Sequence, residues 1–99
     1  MLVRIVQLDI QPEQTQRFLE LYSAHQDMIR GRDGCISLQL LQSDENPNQL
    51  ATLSHWSGEE ALNHYRNSEF FRQLWSNVKP LFASKARAFS YHVWEKQQL

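Results

Sequence analysis

One cysteine stands in 99 residues, so Cys35 can form no intrachain disulfide, and no histidine or cysteine spacing of the zinc-binding kind is present. Apolar runs near 18 residues are also missing, which excludes a membrane-spanning helix. The N-terminus lacks the organisation of a signal peptide: Met1-Leu2-Val3-Arg4-Ile5-Val6 reads straight into a strand, and a cytoplasmic location is expected. Excess charge is lacking too. Ten basic and eleven acidic residues leave a net charge of −1, and the basic residues are scattered, so neither nucleic acid nor an anionic membrane surface is an expected partner. The one short basic group, Arg30-Gly31-Arg32, falls at an expected helix end, where cations favour the dipole. No repeat or low-complexity segment interrupts the chain.

What is present is an ordinary globular composition, 41% apolar and 21% charged, in a chain long enough for one domain over residues 1–99. Leu2 to Ile10 reads as a strand. Gln11-Pro12-Glu13 then starts a helix, with proline at its first position. Phe18, Tyr22, His25 and Ile29, joined by Leu21 and Met28, give that helix one apolar face, and Gly31 to Gly34 ends it in a left-handed turn. Cys35 to Gln42 is a second strand with Ile36, Leu38 and Leu40 on one face. A loop of turn formers, Asp44 to Asn48, joins it in a hairpin to a third strand, Leu50 to Trp56.

The stretch from Ser54 to Phe71 carries the change from sheet to helix. Ser57 and Glu60 fit a Ser-x-x-Glu capping box, and Asn67 with Ser68 offers a second cap ahead of Phe70 and Phe71. The second helix of this pair has Phe71, Leu74, Trp75 and Val78 on one stripe, and Pro80 ends or kinks it. Ala86 to Glu95 is the last strand. The order strand, helix, strand, strand, helix pair, strand is that of the α+β ferredoxin-like split βαβ fold (βαββααβ), a four-stranded antiparallel sheet with helices on one face. A small-molecule site is expected where the aromatic cluster lies between the two layers.

Helices can cover only one sheet face, yet both faces carry apolar side chains. Leu2, Val6, Leu8 and Ile10 oppose Val3 and Ile5 on the first strand, while Phe89, Tyr91 and Val93 oppose Ala86, Ala88 and Trp94 on the last. At roughly 25 cal/mol per Å2, burying a few hundred Å2 of that second face favours association by several kcal/mol before entropic costs. A homodimer through the sheet face is expected.

His25 lies on an apolar helix stripe and fits either a general base or a core-edge histidine bonded to a backbone carbonyl. Arg4 interrupts a strand face. It either binds an anionic group inside the helix–sheet layer or lays its stem on apolar surface with its head in water. Tyr22, Tyr65, Phe71 and Trp75 could line a pocket for a flat ligand, although aromatic stripes at helical spacing are more often plain core. Cys35 reads as a small buried hydrophobe, His55 faces away from Trp56, His64 reads as solvent-exposed and His92 fits either layer. No histidine pair has helical metal-binding spacing, and no metal is expected.

Arg32-Asp33-Gly34-Cys35, Trp56-Ser57-Gly58-Glu59-Glu60-Ala61-Leu62 and Tyr65-Arg66-Asn67-Ser68-Glu69-Phe70-Phe71, in that order and spacing, resemble the antibiotic-biosynthesis monooxygenase family of dimeric ferredoxin-like α/β barrels. The resemblance covers nearly the whole chain. It implies a pocket between helices and sheet in which an electron-rich phenol or quinol loses a proton and its anion reacts directly with oxygen, without a cofactor. Such a site needs a base, a donor for the developing anion and aromatic walls. The rival on the same fold is a small-molecule binding or stress-associated protein without turnover. Haem-degrading members carry an Asn, a Trp and an axial His where this chain has Arg4, Tyr65 and Trp75, so haem degradation is not implied. Quinol-type members often place a His between positions matching Tyr65 and Glu69, and here the nearest is His64.

Overall fold

The computed structural model describes residues 1–95. Strand β1 (Leu2–Asp9) lies inside the sheet, paired antiparallel with β3 (Gln49–Trp56) on one side and β4 (Arg87–His92) on the other. Strand β2 (Cys35–Gln42) pairs with β3, giving the antiparallel order β2-β3-β1-β4. Three helices, α1 (Thr15–Arg30), α2 (Glu59–Arg66) and α3 (Glu69–Val78), complete the expected ferredoxin-like order. No helix among the described residues is long and apolar enough to cross a membrane.

The core forms where the inner sheet face meets the helices. Leu8, Ile10, Phe18, Leu50 and Val78 make one cluster. Ile29, Leu38, Trp56, Leu62 and Tyr65 make the other, around Trp56, which is 1% exposed. The indole N–H of Trp56 donates to Ser54 Oγ at 3.0 Å, so the buried polar edge of the largest core side chain is satisfied.

Several local expectations need correction. Pro12–Gln14 forms a short 3-10 helix, with the Gln14 N–H donating to the Gln11 carbonyl three residues back at 2.8 Å, and α1 begins only at Thr15. Met28 does not join the apolar face of α1 and is 57% exposed. The capping box of Ser57 and Glu60 does not form. The Ser57 N–H donates instead to the Gly34 carbonyl at 2.8 Å, which holds Ser57 to the sheet and moves the α2 cap to Gly58. Ser68 does cap α3, accepting from the Phe71 N–H at 3.1 Å.

In β2 a bulge lies between Cys35 and Ser37, which pair with Trp56 and His55 in turn. Ile36 is the extra residue, 55% exposed and no longer on a face with Leu38 and Leu40. Strand β4 is shorter than expected, so Val93 and Trp94 lie beyond it and are exposed. Of the expected turn glycines only Gly34 is left-handed, at φ 83°, and it reverses the chain between α1 and β2. The second sheet face carries Val3, Ile5, Leu53, Phe89 and Tyr91, with Phe89 38% and Tyr91 56% exposed. His55 lies on that face too, hydrogen-bonded to Ser37 Oγ at 2.8 Å.

Candidate functional site

Alternation along β1 points Leu2, Arg4, Val6 and Leu8 at the helices, and the strand register lines up inner residues across the sheet. One such row runs Leu38, Ser54, Arg4, Ser90, and the next runs Leu40, Thr52, Val6, Ala88. The first row is thus polar at Ser54, Arg4 and Ser90, while Thr52 is the one polar residue of the second. Over these rows the helices leave a cavity of about 330 Å3, at the small end of the roughly 300–1,000 Å3 usual for small-molecule sites.

All six residues singled out in the sequence line this cavity: Arg4, Tyr22, His25, Tyr65, Phe71 and Trp75. The floor comes from β1 and β3, one wall from α1 and the other from α2 and α3. Tyr65 stacks on Trp56 with ring centroids 5.1 Å apart and receives the edge of Phe71, also at 5.1 Å. Trp75 stacks on Phe71 at 5.6 Å and meets Phe82 edge-on at 5.4 Å. These rings therefore serve both readings offered by the sequence, as core and as cavity lining. Arg32 lies 5.9 Å from the Tyr65 ring centre and 5.8 Å from that of Phe70, a cation over two aromatic faces that closes the outer side of the wall.

His25 Nδ1 donates to the Leu21 carbonyl, one helical turn back, at 2.8 Å. That bond fixes the tautomer and leaves Nε2 as the acceptor nitrogen of the neutral ring. The carbonyl-bonded histidine and the candidate base are thus the same arrangement. Tyr22 and Tyr65 keep their protons at neutral pH. Burial pushes the Tyr22 phenol up, and it pushes the Tyr65 phenol up to about 12. Neither serves as a base, and both remain possible donors. Tyr22 Oη is buried with no hydrogen-bond partner among the described residues.

Arg4 is half-buried and donates from Nη1 to Ser90 Oγ at 2.8 Å. Burial, with a smaller contribution from the Arg66 charge, lowers its pKa, yet an arginine remains charged at any physiological pH. Arg66 was not singled out in the sequence. It follows Leu62 by four residues on α2, so the two share a helix face, and an arginine ending an apolar stripe was the available signal. Ser54, Thr52 and Ser90 were likewise missed, because their roles depend on strand register.

His64 is exposed, as expected, while His92 pairs with Leu2 and does not line the cavity. Cys35 is half-buried, with its thiol pushed up by burial, so it is held as a thiol. Among the described residues no three His, Cys, Asp or Glu side chains come together as a metal site.

A four-stranded antiparallel sheet with helices on one face and an aromatic-lined cavity between the layers define an α+β domain of the ferredoxin-like class. The model of the antibiotic biosynthesis monooxygenase family matches residues 1–75, and the chain belongs to that family. A conserved protein from Methanosarcina mazei Go1 superposes with a TM-score of 0.86 at 24% identity, over 92% of this chain and 91% of that one. Rv0793 from Mycobacterium tuberculosis superposes at 0.88 with 18% identity, over 98% of each chain. At such identities the likeness establishes the fold alone. An uncharacterised Synechocystis protein, sll1783, is 22% identical over 92 residues, and the chain spans 63% of its length.

Proposed function

We propose that the protein is a cofactor-independent monooxygenase for a small aromatic or quinol-like compound, with His25 as the general base. The observation that carries this reading is a cavity with aromatic walls, one histidine whose Nε2 is free, and a half-buried arginine with no carboxylate in the lining. Aromatic walls exclude water and stack on a flat ring. Histidine is the usual proton acceptor near neutral pH, and Arg4 would stabilise the anion left behind.

In the chemistry that follows, His25 takes a proton from an activated ring CH2 of a phenol's keto tautomer. The resulting anion forms a C–O bond to dioxygen, and the peroxide anion so formed takes the proton back from His25. The hydroperoxide then loses water, so CH2 becomes C=O. One oxygen atom enters the product, the other leaves as water, and the substrate supplies all four electrons.

An oxygen-electrode screen over hydroquinones, naphthols and anthrone-type phenols tests the reading. At least one compound is expected to consume oxygen, one O2 per CH2 oxidised in the anthrone case, above its spontaneous rate. If several compounds raise Tm and none is consumed, the fold serves binding without turnover.

The outer sheet face supports a homodimer as the working assembly, since Val3, Ile5, Leu53, Phe89 and Tyr91 form an apolar patch that no helix of the chain covers. Sedimentation at micromolar concentration is expected to give about twice the chain mass of 11.7 kDa, and Phe89→Glu to shift it to the monomer. A wild-type mass near that of one chain would exclude the dimer.

A further inference from the structure

The charges around the cavity are all of one sign. Arg4 rises from the floor and Arg66 lines the mouth from the last turn of α2, and no aspartate or glutamate is in the lining. Their only hydrogen bonds among the described residues are with neutral groups: Arg4 to Ser90 Oγ at 2.8 Å, and Arg66 to Asn63 Oδ1 at 3.4 Å. Arg4 is half-buried and Arg66 is exposed but near enough to lower the Arg4 pKa, so two like charges stand at one end of the cavity with no carboxylate in its lining. A bound anion would relieve that repulsion. The rest of the lining is apolar and aromatic, so the anion must sit on a flat, mostly hydrocarbon body.

We propose that Arg4 and Arg66 form a carboxylate-recognition end of the cavity, and that its ligand is an aromatic acid whose ring system lies among Tyr65, Phe71 and Trp75. This deepens the reading given above and rests on the cavity being the substrate site. The guanidinium fork matches a carboxylate in two parallel N–H···O bonds, which a phenol oxygen alone cannot use. Ser90, directly opposite Arg4 on the neighbouring strand, fixes one Nη of that fork and leaves the other N–H groups for the ligand. The acid group thereby sets which end of the ring system enters first, and so which ring carbon faces His25.

Binding of 2-naphthoate and of its uncharged methyl ester to the 99-residue chain, measured by calorimetry at low salt, separates this from the broader reading. The acid is expected to bind at least tenfold more tightly than the ester, with the margin shrinking as salt rises. Arg4→Gln should bring the two within about threefold, and an unchanged thermal unfolding transition reports that the variant is folded. Arg4→Lys should recover part of the margin by keeping the charge without the fork. Equal affinity for acid and ester in the wild type, or an unchanged margin in Arg4→Gln, overturns the carboxylate proposal and leaves the cavity as a binding site. Failure of both compounds to bind removes the site itself.

Discussion

Gly34→Ala is expected to lower the unfolding free energy by about 3 kcal/mol, which for a domain of this size corresponds to a fall in Tm of roughly 12–24 °C. Two costs add. Gly34 sits at φ 83°, and an L-residue in the left-handed region pays about 1–2 kcal/mol. The new Cβ would also stand 2.4 Å from Ala61 Cβ and 2.8 Å from Ser57 Oγ. The serine can rotate away, but the alanine methyl is fixed to the α2 backbone, so the helix itself must shift. Overpacking of that kind costs about 1–3 kcal/mol.

The loss would reach the cavity. The Gly34 carbonyl holds the Ser57 N–H, and the corner it anchors launches α2, which carries Leu62, Tyr65 and Arg66 into the cavity lining. The double variant Gly34→Ala/Ala61→Gly should regain the steric part and retain the conformational part. Chemical denaturation of the two variants separates the terms, and a Tm for Gly34→Ala within 3 °C of wild type would show that the corner yields at no cost.

This glycine illustrates what the sequence made legible. The turn before β2 could be read from Gly31 to Gly34, but which glycine must be left-handed depends on α2 passing close by, a tertiary fact. The element order, the bounds of β2 and the Ser68 cap follow from local patterning, and there the reading and the structure agree. It failed where one residue's backbone is claimed by a distant partner. Ser57 has the right side chain for a cap, but its N–H is already committed to Gly34, so α2 starts at Glu59. Ile36 alternates correctly in the sequence, and a bulge breaks the alternation.

The candidate site divides in the same way. The six candidate residues all line one cavity, because strand alternation and helix periodicity set which way each side chain faces. Arg66 and Ser90 escaped because what matters about them is proximity to Arg4, set by the β1–β4 register and by how α2 crosses the sheet. The second apolar sheet face was visible as soon as both sides of β1 and β4 proved hydrophobic. The partner that would cover it lies outside a single chain.

His25→Gln is expected to reduce kcat by about 10²–10⁴-fold for any quinol that the wild type oxidises, the range for losing a positioned general base. Binding of the ring system should change little, since on this reading stacking against Tyr65, Phe71 and Trp75, which line the cavity, would supply the affinity rather than the imidazole. Stability should also change little. His25 is half-buried, and the one bond lost is to a Leu21 carbonyl in the middle of α1, worth about 0.5–1.5 kcal/mol. Base and core-edge roles part company in turnover, because both lose the same bond to Leu21 while a purely structural histidine would leave turnover per folded molecule intact. The pH profile adds an independent readout. With His25 as the base, kcat/KM should show a limb that rises with pH in the wild type, and that limb should vanish in His25→Gln. Tyr22 and Tyr65 cannot take over the base role near neutral pH, because burial holds both phenols protonated. A variant within threefold of wild-type kcat, with the same limb in its pH profile, would assign the proton to solvent and leave His25 as part of the wall.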